Sequence, residues 1–170
     1  QTRAPARQTK QTMPSDADTI YDGFMECPLA PLEGEPTYEY LTDLGVYLNS
    51  CSSGIHCDLG CGTLGYLVLT AQPAVFAVHY ATTFTTPIKP GLHPTILNPA
   101  TAAIISTIVR EHKEDVRVWK EYHMTDKACK KVIHALISEK FYKPLSSKTL
   151  GFTQVTCLDI LTHMITEYGT

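Results

Sequence analysis

Thr101-Ala-Ala-Ile-Ile-Ser-Thr-Ile-Val-Arg-Glu-His-Lys-Glu-Asp-Val-Arg-Val-Trp-Lys-Glu-Tyr-His123 is the stretch that decides the fold. Ile105, Ile108, Val109, His112, Val116, Trp119 and His123 follow three- and four-residue steps, so they share one stripe of an α-helix. Glu111, Lys113, Glu114, Asp115, Arg117 and Lys120 fall mostly off that stripe. The pattern predicts a helix over 100–124. Thr125 or Asp126 then reads as the N-cap of a second helix, 125–139, because short oxygen-bearing side chains satisfy the first free amides of a helix. Its inner face is Ala128, Cys129, Val132, Ile133, Leu136 and Ile137. Pro144 marks a break. A third helix, 154–168, places Val155, Leu158, Ile160, Leu161, Met164 and Ile165 inside, with Gly169 as its stop.

Working outward from there, Thr37 is a fair N-cap for a helix over 36–50, whose face is Tyr40, Leu41, Leu44, Tyr47 and Leu48. Cys51 to Gly65 is glycine-rich and reads as a loop. Tyr66-Leu-Val-Leu-Thr70 is apolar but too short for periodicity to separate strand from helix. Pro73 suits the first turn of a short helix, 73–80. Four prolines between Thr82 and Pro99 rule out a helix there and are awkward for a central strand, so an extended linker is expected. The fold class is therefore all-α: one small multi-helix domain over 20–170, with an extended N-terminal arm at 1–19 and Pro-rich linkers.

The chain has 170 residues, 44% of them hydrophobic and 18% charged, with a net charge of −3. That length can bury a real core, and the balance gives no global basic field to attract nucleic acid. Basic character is local. Arg3, Arg7 and Lys10 precede the first acid, Asp16, so the arm is the RNA-binding candidate. No run approaches the roughly 18 apolar residues that would span a bilayer, and there is no secretory signal pattern. A soluble intracellular protein, without a membrane partner, is the expectation.

Between Ile20 and Pro36 the apolar residues follow no period and are interrupted by prolines. Tyr21, Phe24, Met25 and Leu29 would be poorly covered on their own subunit. They are expected to form a strap that docks on a neighbouring copy. Trp119, the only tryptophan, is expected to be a core anchor on the helical stripe.

Several patterns bear on chemistry. Cys51, Cys57 and Cys61 surround His56, and Cys and His are zinc ligands. Yet the usual paired Cys-x-x-Cys spacing is missing, so loop thiols are favoured and no metal site is expected. All six cysteines are expected to be free. Gly60-Cys-Gly-Thr-Leu-Gly65 carries a Gly-x-Gly-x-x-Gly match, but no strand leads into it and a turn is the better reading. None of the seven histidines forms a His-Glu-x-x-His pair. No nucleophile elbow is present. The expectation is a protein that is not an enzyme and takes no cofactor.

Further runs carry a family resemblance. His112-Lys-Glu-Asp-x-Arg117, Trp119-x-x-Tyr122, Thr125-Asp-Lys-Ala128, Val132-Ile133 and Ala135-Leu136 follow one another in order. After them come Gly151-Phe-x-x-Val155-Thr156 and Leu158-x-x-Leu161-x-x-x-Ile165-x-x-Tyr168-Gly-Thr170. Upstream are Pro36-Thr37-Tyr38, Leu59-Gly-x-Gly-x-Leu64-Gly, Leu67-x-Leu69-Thr70 and Pro73-Ala-Val-Phe76. Over about residues 27 to 170 this order resembles the Gag protein of copia-type retrotransposons. The resemblance implies an α-helical capsid-type domain that self-associates into a cytoplasmic virus-like particle packaging the element's RNA. The zinc knuckle typical of such proteins is absent, which leaves the basic arm as the local RNA candidate. A small adaptor domain is the alternative, and a metal or thiol enzyme using the Cys51 to Cys61 loop is the third reading.

Overall fold

The computed structural model of the chain describes residues 16–60, 63–79 and 84–170. It is all-α. Among the described residues there are five α-helices and no strands: α1 (Asp16–Asp22), α2 (Tyr38–Ser53), α3 (Pro73–His79), α4 (Ala102–Leu136) and α5 (Cys157–Tyr168).

α2 starts where the sequence says. The Thr37 side chain accepts from the Tyr40 amide, and the buried face is Leu41, Leu44, Tyr47 and Leu48. It runs past Ser50 to Ser53 because Cys51 and Ser52 are also buried. This face packs against the C-terminal part of α4 and against α5 to form the larger core. Leu44, Leu48, Cys129, Ile133, Ile160 and Met164 lie at its centre.

The helices expected at 100–124 and 125–139 are a single helix of 35 residues. Ala102 to Leu136 contains neither Gly nor Pro, so nothing forces a break. Thr125 does not cap. It is buried within the helix and donates its hydroxyl to the Glu121 carbonyl at 2.7 Å. Asp126 does bond a helix N-terminus, but that of α5, thirty-one residues away: its carboxylate accepts from the Cys157 amide at 2.9 Å. The expected inner face, Ala128, Cys129, Val132, Ile133, Leu136 and Ile137, is buried.

Asp126 has a second partner. Lys130, one turn on, is 3.3 Å away, and both side chains are nearly enclosed, at 12% and 10% exposure. The Lys130 ammonium also donates to the Val155 and Phe152 carbonyls, at 2.8 and 3.3 Å. These two carbonyls belong to the loop that leads into α5. A buried charge needs such partners, since desolvation costs several kcal/mol per ion. α5 itself opens with a reciprocal capping box between Thr156 and Asp159. Its buried residues are Cys157, Ile160, Leu161 and Met164, whereas Ile165, expected inside, is exposed.

The strap is irregular beyond Asp22, as expected, but most of its apolar side chains are covered within this subunit. Ile20 and Tyr21 belong to α1. Tyr21, Phe24, Cys27 and Leu29 pack against this chain's own larger core. The Met25 carbonyl accepts from the Tyr47 hydroxyl at 2.7 Å, and the Ala30 carbonyl from Tyr40 at 2.8 Å. The Leu32 amide reaches the Leu136 carbonyl at 2.7 Å. Lys131 fastens α1 through Asp18, at 2.7 Å, and lies over the Tyr21 ring. Only Met25 of the four strap residues is left exposed.

A smaller core joins Cys57, Tyr66, Leu67, Leu69, Ala71, Phe76 and Phe84. Tyr66-Leu-Val-Leu-Thr70 is neither strand nor α-helix but a single 3-10 turn, Leu67–Leu69. This core sits on the C-terminal end of α2: the Tyr66 amide bonds the Ser52 carbonyl at 2.9 Å, and the Ser52 and Thr70 hydroxyls meet at 2.7 Å. Gly65 makes the seat possible. Its φ is +46°, and a Cβ there would lie 2.3 Å from the Ile55 carbonyl oxygen and under 3 Å from those of Ser53 and Ser52. The third glycine of the Gly-x-Gly-x-x-Gly match is therefore a packing glycine.

Two stability measurements check this account. Gly65→Ala should cost at least about 1–3 kcal/mol in urea unfolding, because strain and backbone overlap act together; a loss within error would mean the turn can move off α2. Lys130→Met should cost about 3–5 kcal/mol by leaving Asp126 charged and enclosed. Pairing it with Asp126→Asn should recover part of that loss, and no recovery would contradict a charge-based origin.

Candidate assembly surface

No residue of α4 before Thr125 is buried. At 1.5 Å per residue, the 23 residues from Ala102 to Met124 amount to about 35 Å of helix without a buried residue, with Tyr122 packed against the smaller core. The stripe read from the sequence is real in spacing but is not core-facing over this length. Ile108, Val109, His112, Val116 and Trp119 are half-buried, and Ile105 is exposed.

What covers the stripe is the Pro-rich segment 84–100, which is irregular but not a free linker. It runs back along α4 in the opposite direction. Phe84 stacks on Tyr122, Lys89 lies 5.5 Å from the Trp119 ring centre, and the Gly91 carbonyl is 2.7 Å from His112 Nε2. The segment then turns into α4 at Thr101, whose side chain accepts from the Ile104 amide. Segment and helix together make a hairpin. Its base is braced by the smaller core, where the Tyr66 hydroxyl donates to Glu121 at 2.7 Å. Burial and this acceptor both push the Tyr66 phenol well above its ordinary pKa, burial the more strongly.

The polar side of the helix carries an ion-pair network. Arg117 is paired with Glu114 at 2.7 Å and Glu121 at 3.1 Å. Its bond to Glu114 holds that carboxyl below the usual range. Farther out the surface becomes apolar. Leu92, Ile96, Leu97, Ile104 and Ile105 are all exposed.

Trp119, expected as a core anchor, is half-buried and is not among the described residues of either core; Lys89 Nζ lies 5.5 Å from its ring centre and the His123 ring centre 4.8 Å away. Tyr66, Phe76 and Phe84 are buried in the smaller core, and Tyr122 packs against it. Arg3, Arg7 and Lys10 lie outside the described residues, as does Cys61.

The remaining cysteines are separated by fold. Cys51 belongs to the larger core and Cys57 to the smaller one. Among the described residues no three His, Cys, Asp or Glu side chains are grouped to hold a metal. Burial pushes the Cys51 thiol up, and the bond with Cys129 together with burial pushes Cys157 up. Thiols held in that state are weak nucleophiles. No helix among the described residues is long and apolar enough to cross a membrane.

Asp126 and Lys130 were missed as a pair in the sequence. The signal was there: two opposite charges four apart, interleaved with a face that is otherwise buried. Trp119→Ala should cost only about 1 kcal/mol, the ordinary size for a partly exposed site, instead of the several expected of a core cavity. A loss above 3 kcal/mol would restore the core reading.

No family model matches this chain, and neither does any curated protein or solved structure.

Proposed function

We propose that this chain is a structural, capsid-type protein of the Gag kind, which self-associates into a virus-like particle or related homo-polymer around retrotransposon RNA. The observation that carries the reading is the long run of α4 outside the core, ending in exposed apolar side chains. A monomer gains nothing from exposing such a surface, whereas repeated assembly needs modest interfaces of this kind. The order of motifs, which resembles that of copia-type Gag proteins, points the same way. The cytoplasm is the expected setting, and the basic arm is the proposed RNA contact.

Sedimentation velocity and negative-stain microscopy of the purified chain, with and without RNA, test the proposal. Concentration-dependent growth into particles is expected. A strict monomer at high concentration in both conditions would sink it. Deleting residues 1–12 should lower RNA affinity and reduce the slope of log affinity against log salt by about 2, for three lost phosphate contacts at ~0.7 each. An unchanged slope would remove the arm from RNA binding.

A further inference from the structure

The segment from Pro90 to Val109 contains no Asp, Glu, Lys or Arg at all, although charged residues make up 18% of the chain. These twenty residues form the tip of the hairpin described above. They include the outer part of segment 84–100, the turn at Thr101 and the first two turns of α4. Leu92 and Leu97 are 93% and 79% exposed, and Ile96, Ile104 and Ile105 between 36% and 50%. The charges resume at Lys89 and Arg110, immediately beyond the tip.

A charge-free apolar tip with charged flanks has the composition of an interface core and its rim. The missing positive charge argues against two other occupants. A nucleic acid would be met by Lys or Arg at its phosphates, and an interfacial helix on an anionic lipid surface normally carries basic residues on its polar face. The area also fits. Leu and Ile side chains remove on the order of 100 Å² each when covered, so the exposed share here is about 300 Å² per copy and, at a ~57% apolar interface, about 1,000 Å² in total for two copies. That is where specific contacts begin, so the pair would be weak and reversible.

We propose that the hairpin tip is a self-complementary contact, in which a second copy of this chain covers Leu92, Ile96, Leu97, Ile104 and Ile105 through two-fold symmetry. Two-fold contacts are the commonest between identical chains, and each copy supplies the same uncharged patch. This rests on the assembly reading above and gives that reading a location.

The test uses the full chain with Leu97→Glu and Ile104→Glu together. Both positions are exposed, so circular dichroism and thermal unfolding should match the parent. Val46→Glu, at an exposed site on α2, is the control. Facing carboxylates should weaken self-association by about 100-fold, while the control leaves it unchanged. Equal association of the double variant and the parent would overturn the tip contact and leave the assembly reading standing. A parent that never associates would overturn both. Flotation with phosphatidylcholine vesicles, present in the parent and lost in the double variant, would overturn the contact by giving the tip to a lipid surface.

Discussion

The buried Asp126–Lys130 pair is the constraint from which the rest of the molecule follows. It lies where α4 meets the start of α5, and each charge is committed to both elements. Asp126 holds the first amide of α5, and Lys130 gathers the carbonyls that precede it. A hydrophobic contact would leave α5 free to slide or rotate on α4. Directed bonds to backbone atoms fix both its depth and its phase. With that phase set, Cys157, Ile160, Leu161 and Met164 face the core, and α2 closes over them.

The consequence for α4 is a division of labour along one rod. Its C-terminal part packs against α2 and α5, α1 lies along it from Arg117 to Lys131, and its N-terminal part is touched by segment 84–100. The smaller core stands at the boundary. Tyr66 ties it to Glu121, and Tyr122 enters it from the helix, so the exit of α4 is braced from the side. Its own foundation is the Gly65 turn on the end of α2.

The sequence spoke clearly where one physical cause acted alone. Thr37 began α2, Pro73 began α3, and the face from Ala128 to Ile137 was read correctly, because local capping and periodicity decide those features. It spoke poorly where a distant partner decided. Thr125 and Asp126 are good cap residues by type, yet Thr125 bonds back within α4 and Asp126 caps α5, which local reasoning cannot place. A stripe of apolar residues says that something covers it, not what. For Trp119 the cover is Lys89 and the Pro-rich segment, not the core. The strap's cover was illegible for the opposite reason: without a period, Tyr21, Phe24 and Leu29 gave no sign of the intramolecular hydrogen bonds at Met25, Ala30 and Leu32 that hold the segment down. The exposed tip was legible as a gap in charge, and its exposure required the fold.

Because α4 passes from the core to the tip without a break, the molecule contains a lever. The two cores hold it from its C-terminal end up to Tyr122 and Glu121, and its outer arm runs from there to Ala102. A slight tilt where the two cores grip the rod is magnified into a much larger displacement at Ile104. The orientation of any neighbour seated on the tip is thus governed by packing far from the contact. For the proposed tip contact, substitutions around Tyr66, Gly65 or Tyr122 would therefore change the angle between two copies while leaving the contacting side chains unaltered.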